Sequence, residues 1–125
     1  MNITAKKAQL IRRIENNYIN FKCSLRGVSR EKLFESAPRI AAVTEAYEYL
    51  TSCHEWEDDN ELEFYLLFSD PLTIVADYWE SRRIDGAIDV DGAMMEIEYS
   101  INVISEYPLA EGVNENFVFI DELDV

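Results

Sequence analysis

Residues 5–25, which read AKKAQLIRRIENNYINFKCSL, form the stretch that decides the fold class. Apolar side chains recur there at steps of three and four, and polar side chains occupy the opposite side. This spacing predicts an amphipathic helix with one buried face. Thr4 is suited to cap the helix and Gly27 to end it. The apolar positions are Leu10, Ile11, Ile14, Tyr18, Phe21 and Leu25.

A second helical segment opens at Ser29, a favoured capping residue, and its apolar stripe continues to about residue 52. Pro38 lies inside this stripe. A proline in a helix interior removes a hydrogen-bond donor and clashes with the preceding turn. The helix therefore either kinks at Pro38, or ends near Ser36 and restarts at Pro38, where a proline is well tolerated.

Three more helices are predicted in the second half of the chain. A polar loop over residues 53–61 ends in a capping side chain, either Asp58 or Asn60, and a short helix follows over 62–68. Asp70-Pro71 combines a cap with a proline suited to the first turn, so we expect a helix over 71–83 and another over 91–105. The sequence thus predicts an all-α fold of about five helices around one core.

The length of 125 residues predicts one domain, with a helical core over 1–112 and an extended acidic tail over 113–125. The apolar run at 117–120 fits either a lone strand or an extended segment docked on the helices. Cys23 and Cys53 form no disulfide framework, and no signal-peptide or membrane-spanning run is visible. We therefore expect a soluble, cytoplasmic protein with reduced thiols.

Charge is distributed unevenly along the chain. Residues 1–39 contain nine basic and three acidic side chains, whereas residues 40–125 contain two basic and 22 acidic ones. The formal net charge is −14. A surface of this sign argues against direct binding of nucleic acid or of an anionic membrane, because both require the opposite charge. It favours a basic protein as the partner.

A series of short motifs follows the predicted order of helices: Tyr18…Phe21, Glu31-x-x-x-Glu35, Glu61-Leu62-x-x-x-Leu66-Leu67, Asp70-Pro71-Leu72 and Tyr78-Trp79. Over roughly residues 8–100, this series resembles a family of small helical domains of unknown function that recur in clostridial genomes and their mobile elements. The resemblance implies an all-α fold and a phage or mobile-element context, and it implies no catalytic residues. The chain departs from the family pattern at Pro38 and in its tail over 105–125.

Candidate catalytic groups are sparse. His54 is the one histidine, and we expect it to be exposed in the polar loop. The neighbouring Glu55, Glu57 and Asp58 do not have the spacing of a metal site. Among 25 acidic residues, the sequence selects no catalytic carboxylate pair. We therefore predict that the protein is not an enzyme and has no catalytic residue, no metal site and no cofactor.

Residues 87–98 partly fit the pattern of a calcium-binding loop. It can be aligned so that Gly92 takes the sixth position, with Asp89, Asp91 and Glu98 at ligand positions. Ala87 then stands at the first position, where an aspartate ligand is required. The alternative is a turn followed by an acidic helix cap, and the sequence favours that alternative.

The acidic surface is the strongest functional signal. Carboxylates one helical turn apart are spaced about 5–6 Å, which is comparable to successive phosphates along a nucleic-acid strand. Trp56 lies amid the densest acids, either as a hot-spot anchor for a partner or folded back into the core. The predicted partner-binding residues are Glu55, Trp56, Glu57, Asp58, Asp59, Glu61, Glu63, Asp85, Asp89, Asp91, Glu96 and Glu98.

These observations predict a non-enzymatic acidic interaction protein. Its most concrete form is a phage or mobile-element inhibitor that occupies the nucleic-acid groove of a host defence nuclease, as anti-CRISPR and anti-restriction proteins do. Two alternatives remain: a self-associating or regulatory helical module, and an immunity protein for a basic nuclease toxin. The basic first helix either neutralises part of the acidic half of the same chain or joins the acidic face of a second copy in a homodimer.

Overall fold

The computed structural model describes residues 2–83, 89–100 and 102–111. Seven helices and no strand occur in these ranges, which confirms the all-α fold class. Five of the seven have eight residues or more. The helices are α1 Ile3–Ser24, α2 Arg30–Glu35, α3 Ala37–Glu48, α4 Asp59–Leu66, α5 Pro71–Arg83, α6 Val90–Tyr99 and α7 Val103–Glu106.

The first helix begins earlier than its sequence suggested. Asn2 caps α1, because its Oδ1 accepts a hydrogen bond from the backbone N–H of Ala5 at 2.8 Å. Thr4 lies inside the helix, so its predicted role as the cap was wrong. Gly27 adopts a φ of 76°, a left-handed conformation that glycine reaches without steric cost, and it turns the chain away after α1.

Pro38 separates two helices. Ser29 caps the short α2 by accepting a hydrogen bond from the N–H of Lys32 at 3.2 Å, and α2 ends at Glu35. The next helix, α3, starts at Ala37, which places Pro38 in its first turn. Of the two alternatives for this segment, the structure has the break and restart, in which the missing N–H of Pro38 costs no helical hydrogen bond.

The following helices are fixed by their caps. Asp58 accepts from the N–H of Asn60 at 2.9 Å, so α4 begins at Asp59, three residues earlier than expected. Asp70 accepts from both the N–H and the hydroxyl of Thr73, at 2.9 Å and 2.7 Å. This confirms the predicted restart at Pro71, because the cap satisfies a donor that a helix start leaves free.

The predicted fifth helix is divided. The backbone is extended at Ser100, which ends α6, and a separate short α7 follows. The chain then pairs with the end of α4: an antiparallel bridge joins Phe68 to Leu109, and Ala110 N–H donates to the Leu67 carbonyl at 2.7 Å. The predicted tail over 113–125 lies outside the described residues.

Five helices enclose the core. α3 packs on α5, α5 on α6, and α1 on α4. Burial of each large apolar side chain stabilises the fold by roughly 2 kcal/mol. No helix among the described residues is long and apolar enough to cross a bilayer. The largest fully buried side chains include Tyr65, Phe68, Leu10, Ile14, Leu50, Leu62, Leu72, Ile74, Met94 and Ile97.

Candidate interaction site around the acidic loop

A π-helical turn over Tyr49–Cys53 ends α3 and directs the chain into the acidic loop that precedes α4. The N–H of His54 donates to the Tyr49 carbonyl at 2.8 Å, which closes this wide turn. Single π-helical turns often occur at functional sites. The turn brings the His54 ring to the start of α6, where its Nδ1 lies 3.9 Å from Oδ1 of Asp91.

His54 is not the exposed loop residue that the sequence predicted. Its side chain is only 11% exposed, and its Nε2 lies 2.6 Å from Oε1 of Glu61. The Trp56 ring packs edge-on against the imidazole at 4.4 Å between ring centroids. The prediction failed because the loop folds inward here, so that the histidine is held between an indole and a carboxylate.

Trp56 is buried, with 3% of its surface exposed. Its indole N–H donates to the Leu50 carbonyl at 2.8 Å, and its ring packs edge-on against Tyr65 at 5.7 Å between centroids. The alternative in which Trp56 folds back into the core is therefore confirmed. Its assignment as a partner-binding anchor was wrong, because a buried indole has no free surface to offer.

Glu61 and Glu98 form an internal pair and do not serve as two surface charges. Burial, together with the hydrogen bond and charge of Glu61, raises the pKa of Glu98 to about 8. Burial acts to raise the pKa of Glu61 as well, but hydrogen bonds from His54 and Glu98 lower it overall. The Tyr65 hydroxyl donates to Oε2 of Glu98 at 3.3 Å. The raised pKa favours the protonated form of Glu98 at neutral pH, in which its O–H donates a hydrogen bond to Glu61 and the pair carries one negative charge fewer than predicted.

Three more of the predicted acids form ion pairs within the chain. Lys6 Nζ lies 2.6 Å from Oδ1 of Asp59 and 2.7 Å from Oε1 of Glu63, and these hydrogen bonds raise the pKa of Lys6. Arg82 donates two hydrogen bonds to Glu96, at 2.7 Å and 2.8 Å. Lys6 of the basic first helix therefore pairs with acids from the second part of the chain, which is one of the two arrangements predicted for that helix.

Arg13 adds a contact that the sequence did not indicate. Its guanidinium donates to the carbonyls of Leu66 at 2.7 Å and Phe68 at 2.9 Å. These carbonyls lie at and just after the end of α4, where no later helical N–H is present to donate to them. Arg13 therefore satisfies them from α1, and burial lowers its pKa.

The remaining predicted acids lie together on two neighbouring segments. We call Glu55, Glu57, Asp58, Asp89 and Asp91 the acidic face. All five residues are exposed. Within the part of the chain that the structure describes, no lysine or arginine forms an ion pair with any of them. Asp85, the last predicted site residue, lies outside the described residues.

The acidic face has some internal support of its own. Asp58 caps α4, and Asp89 caps α6 by accepting from the N–H of Gly92 at 2.9 Å. The Tyr49 hydroxyl donates to Asp91 at 3.3 Å, and burial followed by the charge of Asp91 raises the pKa of Tyr49 to about 12. Asp89 caps α6, which is helical from Val90 onward and contains Gly92, and this agrees with the acidic helix cap that the sequence favoured over a calcium loop.

The rest of the described chain offers few alternatives to this face. No group of three or more His, Cys, Asp and Glu side chains there has the geometry to hold a metal ion. A shallow cleft of about 250 Å³ lies between α5 and α7, lined by Tyr78, Ser81, Arg82 and Glu106, with Asp77 and Tyr107. The Tyr107 hydroxyl donates to Asp77 at 2.8 Å, and Arg82 donates to Glu96 outside the cleft.

Comparison of the chain with models of protein families finds no match, and comparisons with curated proteins and with solved structures find none either. The resemblance to small helical domains of mobile elements therefore stays a prediction. What the chain does must be argued from the geometry of its described residues.

Proposed function

We propose that this protein is a non-enzymatic binding protein whose acidic face engages the basic, nucleic-acid-binding surface of another protein. The observation that carries the proposal is the acidic face itself. Its five exposed carboxylates lack a lysine or arginine partner among the described residues, whereas Asp59, Glu63 and Glu96 have one. Charges that the fold leaves without a counter-charge are available to a partner.

The fold also holds this face in place before any partner binds. Glu55 and Glu57 flank Trp56, whose buried ring and hydrogen bond to Leu50 pin the loop to the end of α3. Asp91 is held by the hydroxyl of Tyr49. A preorganised surface binds more tightly than a flexible one, because less conformational entropy is lost on association.

The sign and size of the charge favour a cationic macromolecule. A formal net charge of −14 on 125 residues creates a long-range field that accelerates encounter with a basic groove. The same charge repels nucleic acid, so the protein competes with nucleic acid for the groove and does not bind it. The finer form of the proposal is an inhibitor, encoded by a phage or mobile element, of a host defence nuclease.

The experiment is capture of partners from a lysate of the encoding host at low and at high salt. Three chains are compared: the native chain, a Glu55→Lys/Glu57→Lys variant and a matched Glu15→Lys/Glu35→Lys variant. Both variants change the net charge equally, and all four substituted residues are exposed. We expect a basic nuclease or other nucleic-acid-binding protein on the native chain and on the matched variant at low salt. The loop variant should lose it.

The proposal fails if the captured proteins are the same on all three chains, or if their retention does not fall as salt rises. The identity of a captured nuclease separates the two specific roles. A host defence nuclease would support an inhibitor, and a toxin encoded beside this chain would support an immunity protein.

A further inference from the structure

α2 stands apart from the rest of the fold. None of its residues is buried, although it carries two large apolar side chains, Leu33 and Phe34. Phe34 is 74% exposed and Leu33 is 36% exposed. An aromatic side chain left this open on a short helix gains nothing from the core of its own chain. Burying the Phe34 side chain against another protein surface would therefore stabilise an association.

Phe34 is surrounded by charges of both signs, since Glu31 and Glu35 on α2 are exposed and three cations lie nearby. Arg26, Arg30 and Lys32 are exposed, and none of them forms an ion pair with a described carboxylate. Arg30 precedes Phe34 by four residues, so the two side chains lie on the same face of α2, one turn apart. This face presents a cation followed by an aromatic ring.

α6 carries the complementary pattern. Asp91, Met95 and Tyr99 are spaced by four residues, which places them along one face of that helix. All three are exposed, with Met95 at 54% and Tyr99 at 83%. This face presents a carboxylate, a thioether one turn later, and an aromatic ring one turn after that. The four-residue spacing, about 6 Å along a helix axis, is the same as that between Arg30 and Phe34.

We propose that α2 of one copy docks on α6 of a second copy, with Phe34 between Met95 and Tyr99 and with Arg30 paired to Asp91. Opposite charges meet in this arrangement, and Phe34 gains sulfur–aromatic and aromatic–aromatic contacts. The two faces differ, so the contact is head-to-tail, and a pair of copies keeps one free α6 and one free α2 for further copies. The inference goes beyond the proposed function: it shares Asp91 with the acidic face, and Phe34, Met95 and Tyr99 have no role in that function.

The test is sedimentation velocity of the full chain at low salt over a wide range of protein concentration. We expect a mass that grows with concentration, because a head-to-tail contact continues from copy to copy. Phe34→Ser and Tyr99→Ser should each remain monomeric, with association weakened about tenfold or more. Both side chains are mostly exposed, so neither variant should alter folding, which circular dichroism checks. Ile19→Ser, at a position 52% exposed on α1, is the matched control and should associate like the native chain.

Mixing the two variants tests the head-to-tail contact most directly. The Phe34→Ser chain keeps an intact α6, and the Tyr99→Ser chain keeps an intact α2, so their mixture should form dimers and nothing larger. A mixture that stays monomeric overturns the head-to-tail contact. A monomeric native chain at all concentrations overturns self-association altogether, and a Phe34→Ser variant that associates normally overturns the contact through α2. Because Glu55 and Glu57 lie outside this contact, failure here leaves the proposed function standing.

Discussion

The indole nitrogen of Trp56 donates to the backbone carbonyl of Leu50 at 2.8 Å, and this bond ties the acidic loop to the end of α3. Glu55 and Glu57 on either side of Trp56 are exposed. One buried side chain thereby orients two charged ones. The backbone that carries these two charges is thereby anchored to the fold.

Replacement of Trp56 should therefore reduce stability first. We expect Trp56→Ala to lower the free energy of unfolding by about 3–5 kcal/mol, because it leaves a large cavity. Trp56→Phe should cost about 1–2 kcal/mol, since it leaves the Leu50 carbonyl without its donor. Chemical denaturation measures both, and Tyr99→Ala, at an exposed position, should have little effect. An unchanged stability in Trp56→Phe would contradict a structural role for this ring.

Lys6 sets how much negative charge reaches solvent beside the acidic face. Lys6→Gln should leave the carboxylates of Asp59 and Glu63 without the lysine that forms ion pairs with them in the native chain. Binding to a basic partner should then become faster and more sensitive to salt. Association kinetics measure this, with Lys7→Gln as the control, because Lys7 is exposed and removes the same charge. Equal changes in the two variants would indicate that only net charge matters.

The proton held by Glu98 predicts how stability depends on pH. The pKa of Glu98 is raised from 4.5 to about 8 in the folded chain. Its contribution to stability is therefore fully present below pH 4.5 and is lost as pH rises through 8. The effect should be on the order of 1 kcal/mol, because solvent screens a half-exposed carboxyl. The lowered pKa of Glu61 has the opposite effect on the pH dependence. The stability that Glu61 contributes is present above the pKa of a free carboxyl and is lost as the pH falls through the lowered pKa of Glu61.

Glu98→Gln tests this directly, because the amide resembles the protonated acid. The free energy of unfolding of this variant should fall less than that of the native chain between about pH 5 and about pH 9. Glu96→Gln is the matched control, since Glu96 is bonded to Arg82 and its pKa is lowered. A Glu98→Gln profile parallel to the native one would show that Glu98 is ionised in the folded protein at neutral pH.

The loss of a helix cap should have a local cost. Asp70 accepts two hydrogen bonds from Thr73 at the start of α5, which packs against α1, α3 and α6. Asp70→Ala should destabilise the fold by about 1 kcal/mol, and Asp70→Asn should cost less, because asparagine retains a capping oxygen. Thermal denaturation of the pair checks the order. The reverse order would mean that the charge of Asp70, and not its cap, is what matters.

Local signals predicted the helices because caps and prolines act over a few residues. Pro38, Asp70 and Pro71 each marked a helix start that the structure has. The same reasoning misplaced the cap of α1, since Asn2 and Thr4 are both good capping residues and only packing chooses between them. The choice of capping residue depends on where the helix must begin to bury its apolar side.

The candidate site was harder to predict, because its contacts join residues far apart in the chain. Lys6 reaches Asp59 across 53 positions, and Tyr65 reaches Glu98 across 33. A count of charges cannot distinguish an acid neutralised in this way from a free one. The net charge of the sequence therefore predicts a negative surface. Only the fold distinguishes Glu55 and Glu57 from Asp59 and Glu63, which form ion pairs with Lys6.

The most direct test of the central claim is displacement of nucleic acid from the basic protein captured by this chain. The native chain, titrated into the complex of that protein with duplex DNA, should release the DNA. The Glu55→Lys/Glu57→Lys variant should require about tenfold more protein or higher for the same release, and the Glu15→Lys/Glu35→Lys variant should match the native chain. Release that is equal for both variants, or no release by the native chain, would contradict the account.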